Sequence, residues 1–131
     1  MKYLQIIVLC AFVFSCTPAQ EQKAEKMDLK EIVMEIHDEV MPKMGELRKA
    51  QKELEAKMKD ADEAMKDEYR EAAEKLKEAN ESMMVWMRNF DPNPEGTQEE
   101  IDAYLKDQMK MIEQVKKDML TSLEKAKKKA E

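Results

Sequence analysis

Apolar side chains recur every three or four residues along most of this chain. Val33, Ile36, Val40, Met44, Leu47, Leu54, Met58, Ala61 and Met65 form one stripe, because steps of three, four and seven return to the same side of a helix. The stripe continues through Tyr69, Ala72, Leu76, Ala79 and Met83 to Trp86, Met87 and Phe90. Asp91-Pro92-Asn93-Pro94-Glu95-Gly96 then interrupts it with a dense run of turn residues,. A last stripe follows at Ile101, Tyr104, Leu105, Met109, Ile112, Val115, Met119 and Leu123.

Helix boundaries are written beside the stripes. Asp28-Leu29-Lys30-Glu31 fits a capping box, with Met27 and Ile32 placed as a hydrophobic staple,. Thr97-Gln98-Glu99-Glu100 is a second capping box, and Lys125, Lys127, Lys128 and Lys129 suit a helix C-terminus,. Between Gly45 and Pro92 there is no Gly or Pro. Residues 28–90 therefore form either one long helix, which must dimerise as a coiled coil to bury its stripe, or two helices that fold back. The polar stretch Asp60-Ala61-Asp62-Glu63 offers a cap for the second of two,. The favoured reading is all-α: an antiparallel three-helix bundle over 28–128, with helices at about 28–59, 62–90 and 98–128.

The N-terminus is of another kind. Met1-Lys2 is a basic start, and Leu4 to Phe14 is apolar apart from Gln5. The run is too short for a permanent span, which needs about 20 residues, so it reads as a secretory signal. It ends Val13-Phe14-Ser15-Cys16, which resembles a bacterial lipoprotein signal: an aliphatic residue at −3 and a small one at −1, before a Cys that is lipidated. The expected organisation is signal peptide 1–15, lipidation of Cys16 with a flexible tether over 16–27, then the bundle. Cys10 leaves with the signal and Cys16 carries lipid, so no disulfide is expected. The expected location is the cell envelope, lipid-anchored at the outer membrane or periplasm.

Composition narrows the chemistry. The 131 residues are 40% charged and carry 2 Gly, 1 His, 1 Trp and 13 Met. So few Gly argue against a phosphate loop or a multi-strand sheet. A single imidazole excludes a ferritin-like di-iron pair, and zinc would need more His or Cys than exist. The formal net charge of −6, more negative once Lys2 leaves, argues against nucleic acid. Acids and lysines alternate at helical spacing, as expected of solvated faces, and no Ser or Thr has a catalytic setting. The chain is therefore expected not to be an enzyme.

The methionines are the oddity. Met34, His37, Met41 and Met44 share one helical face, with Pro42 among them. A proline inside a helix removes a hydrogen bond and kinks the rod, at about 3 kcal/mol. Folding back through a turn centred near residue 61 brings His37 level with residues 83–87, the segment holding Met83, Met84, Trp86 and Met87. Reflection through the second loop, centred near 93–94, places residue 84 beside 103. Thioethers are soft ligands that favour Cu(I) and Ag(I), and an indole adds cation–π shielding. His37 with Met34, Met41, Met44, Met83, Met84 and Met87 is thus a candidate Cu(I) or Ag(I) set, supported by Trp86 and Pro42. Met109 joins it only in some registers. Against this stands the ordinary use of Met as a core filler.

The segments from His37 to Leu47 and from Met83 to Asp91 resemble those of small helical lipoproteins of Bacteroidota, some of them labelled "viral A-type inclusion protein". The resemblance covers most of the chain beyond the signal. It implies the compartment and the helical architecture, and it implies no activity. Three functions are expected at this stage. The most concrete is a lipoprotein with a Met-rich end that binds a soft metal. The alternative is a helical module for a protein or peptide, which predicts an exposed Met/Trp patch and against which a fully buried Trp86 would count. The last is a structural envelope protein resembling the murein lipoprotein, although this chain ends in Ala130-Glu131 where that family has a wall-attaching Lys. The membrane is a partner through the lipid, and a homo-oligomer is compatible with the stripes.

Overall fold

The computed structural model describes residues 28–130. The signal 1–15, Cys16, the tether and the Met27 half of the staple lie outside the described residues. Four helices follow in order: α1 (Leu29–Val40), α2 (Lys43–Lys57), α3 (Glu63–Asn89) and α4 (Gln98–Ala130). Helices α1 and α2 form one rod broken at Met41-Pro42, so the architecture is an all-α bundle of three antiparallel rods.

The break is local chemistry. Pro42 has no N–H to return to the Asp38 carbonyl, yet Met41 and Pro42 both keep right-handed helical dihedrals. The ladder tightens instead: Met44 N–H reaches the Met41 carbonyl at 3.2 Å and Gly45 N–H the Pro42 carbonyl at 3.4 Å. The expected helix over 28–59 is therefore two helices. The break also changes partners, since α2 packs on both α3 and α4 whereas α1 lies mainly on α4.

The other ends follow their caps. Asp28 and Glu31 close the first capping box. Asp62 caps α3 by accepting from Met65 N–H at 2.9 Å. At α4 the Glu100 carboxylate accepts from Thr97 N–H at 2.8 Å and from the Thr97 hydroxyl at 3.0 Å. These bonds hold the Glu100 carboxyl below its usual range,. Gly96 precedes this box at φ +146°, and a Cβ there would lie 3.0 Å from Glu100 Oε2. Only glycine suits that position.

The core runs the length of the rods. Leu47, Leu54, Leu76, Met83, Ile112 and Met119 are among its fully buried side chains. Ala72, Ala73, Ala79 and Ala126 are buried among them. Two polar residues are buried with them, Gln108 and Ser122, and the Ser122 hydroxyl donates back to the Asp118 carbonyl one turn earlier,. Ion pairs Lys116–Glu39 and Lys129–Glu68 tie α4 to α1 and to α3. No helix among the described residues is long and apolar enough to cross a membrane.

Candidate functional site

The end of the bundle formed by α1, the last turns of α3 and the start of α4 differs from the rest in its side chains. An aromatic ladder runs across it. The His37 ring lies 5.7 Å from Trp86, Trp86 stacks on Phe90 at 4.8 Å, and Phe90 faces Tyr104 at 6.4 Å. Such separations are those of interacting rings. His37 thus sits level with Trp86, within the 83–87 segment to which antiparallel folding about residue 61 brings it.

The second reflection needs correction. Val85, Trp86 and Asn89 share a groove with Gln108 and Met111, not with residues near 103. The 90–97 loop is not a symmetric U-turn. The first turns of α4 overhang the end of α3, and the loop packs back on them: Asp91 N–H donates to the Tyr104 hydroxyl at 2.7 Å, and Lys30 Nζ reaches Asn93 Oδ1 at 3.1 Å.

The candidate ligands divide into three groups. Met44 and Met83 are core residues, 3% and 0% exposed. Met34 and Met87 are half-buried: Met34 rims a shallow recess with Glu31, Glu35, Asp38 and Glu39, and Met87 packs on the core. Met41 and Met84 are exposed, Met41 beside the exposed Pro42 at the break. Met109 also packs on the core. His37 is half-buried, with Nδ1 2.8 Å from the Asp38 carboxylate. That contact leaves Nε2 as the ring nitrogen for any ligand. The fit to a soft cation is therefore local. His37 and Trp86 face each other, and Met34 and Met41 stand one turn to either side of His37. Met44 and Met83 would have to leave the core to join. Among the described residues no group of three His, Cys, Asp or Glu side chains is placed to hold a metal.

A second feature lies at the same end, on the outer side of α3 and α4. A groove of about 830 Å³ runs between them, from Glu78 and Asp118 to Asn89 and Gln108. Its apolar lining is Val85, Trp86, Met111 and Val115. Val85 and Met111 remain 42% and 54% exposed. Trp86 itself is buried, and its indole N–H is enclosed without an acceptor. The exposed apolar side chains of this groove are thus Val85 and Met111, and the buried Trp86 counts against the Met/Trp patch expected of a peptide-binding module. The stripe hid both residues, because each lies one position before a core residue, Trp86 and Ile112. The available signal was their departure from the stripe: two large apolar side chains on a face that should be polar.

No protein-family model, no curated protein and no solved structure matches the chain.

Proposed function

We propose that this chain is a lipid-anchored, non-catalytic binding protein of the cell envelope, a helical module that takes a segment of another polypeptide at its Trp86 end. The α3/α4 groove carries the reading. An apolar concavity flanked by polar groups is the usual form of a binding site, and water-exposed Val85 and Met111 serve no packing role that a polar residue could not fill. Unbranched Met adapts to the shape of a partner. The anchor rests on Val13-Phe14-Ser15-Cys16 and on the resemblance to small helical lipoproteins.

An environment-sensitive apolar dye tests the groove. The wild-type chain should bind it, and a Val85→Glu, Met111→Glu double variant should not, with helicity unchanged. Equal dye response in both would overturn the reading. For the anchor, incorporation of a labelled fatty acid should vanish in Cys16→Ser.

Two contacts support a second reading, Cu(I) or Ag(I) binding at His37: the carboxylate on Nδ1 and the indole beside the ring. Anaerobic Cu(I) titration against a competing chelator tests it. Unchanged affinity in a His37→Ala, Met41→Ala variant would sink that site.

A further inference from the structure

We infer that the segment received by the α3/α4 groove is a cationic amphipathic helix; this rests on the groove being a binding site. The shape comes first. From Glu78 to Asn89 the α3 wall runs about 16 Å at 1.5 Å per residue, the length of roughly three turns of a docked helix. A helix lying in a groove presents an apolar stripe to the floor and polar residues to the rims. The floor here is Val85, Trp86, Met111 and Val115.

The rim then selects charge. Glu78 and Glu81 line it on α3 and Asp118 on α4, and no Lys or Arg lines this groove. Glu78 is paired with Lys75 at 2.8 Å. The Asp118 carboxylate accepts from the neutral amide of Gln114, at 2.8 Å, and neither it nor Glu81 has an ion-pair partner among the described residues. Two carboxylates beside an apolar floor therefore lack a cation. Lysines on the rim-facing sides of a docked helix supply it, and the chain's net charge of −6 draws such a partner in from a distance.

The same face limits where the partner lies. Beyond Glu78 the trough between α3 and α4 brings in lysines, Lys75, Lys125 and Lys129, beside the carboxylates of Glu71, Glu78 and Asp118. The Trp86 half, where carboxylates stand without lysines in the lining, is thus the half that favours a cationic helix. A second copy of this chain is a poorer occupant. Setting apolar floor on apolar floor would press one acidic rim against another, and like charges brought together cost several kcal/mol.

The test uses the secreted chain carrying Cys16→Ser, so that no lipid competes. Three Trp-free amphipathic peptides share a Leu face, with Lys, Gln or Glu on the polar face. Trp86, the single Trp, reports binding by fluorescence. The Lys peptide should bind and weaken on adding salt, and Glu81→Gln with Asp118→Asn should weaken it about tenfold without moving the thermal midpoint. Equal, salt-independent binding of the Gln or Glu peptide would overturn the charge selection and leave the groove. No binding by any peptide, together with no dye response, would overturn both. A dimer dissolved by Val85→Glu would give the groove to a second copy and overturn the inference.

Discussion

The two ends of the bundle are built from the same stripe but packed differently. At the turn end, Leu54, Ala72, Ala73, Leu76, Leu123 and Ala126 form a core of leucines and alanines, with Lys129–Glu68 and Lys57 to the Ala130 carbonyl tying the rods outside it. At the other end the fillers are His37, Met44, Met83, Trp86 and Phe90, the rod is broken at Pro42, and an indole N–H is buried unpaired. The recesses at the turn end are lined mainly by lysines and carboxylates, whereas the groove at the Trp86 end has an apolar lining of Val85, Trp86, Met111 and Val115. The turn end is explained by folding alone, and the Trp86 end is not.

The largest expected effect breaks this comparison at its rigid half. Leu76 is fully buried, so Leu76→Ala should cost about 2–5 kcal/mol in urea unfolding. Trp86→Phe should cost much less than an ordinary large-to-small change. The volume it loses is offset by removal of a donor whose burial without a partner costs about 1–3 kcal/mol. A loss as large as that of Leu76→Ala would mean that the indole N–H is satisfied after all.

Smaller effects sharpen it. Asp62→Ala removes the α3 cap and should cost about 1 kcal/mol. Gly45→Ala should stabilise by about 0.5–1 kcal/mol, because a Cβ there meets nothing within 4 Å. The smallest effect is with pH. The Glu100 carboxyl titrates below its usual range because Thr97 donates to its charged form. Its contribution is therefore present above the unfolded carboxylate pKa and lost as pH falls through the lower folded value. Amide protection at residues 98–101, corrected for the intrinsic pH dependence of exchange, should fall as pH drops over that interval and stay flat at residues 112–123.

Much of this was legible in the chain. The stripe, the caps at Asp28, Asp62 and Thr97, and the turn residues of 91–96 each state a local preference that the fold keeps, so the all-α bundle and the level of His37 against Trp86 follow from them. Three things did not follow. Pro42 announces a kink, but only the shift to three-residue bonds at Met44 and Gly45 shows two helices. The overhang of α4 depends on contacts such as Asp91 to Tyr104 that are remote in sequence, so spacing alone gave the wrong level for residue 84. Shared helical spacing also grouped Met41 with Met44, although one is exposed and the other in the core. A face of a helix is wider than a site, and only packing decides which edge of it is covered.

The central claim is that the Trp86 end, and not the turn end, is a binding surface. The most direct measurement is an amide and indole NMR titration with the Lys-faced peptide. The account predicts shifts at Val85, the Trp86 indole N–H, Gln108 and Met111, with Leu54, Ala73 and Ala126 unmoved. Shifts spread evenly over both ends, or confined to the turn end, would contradict it.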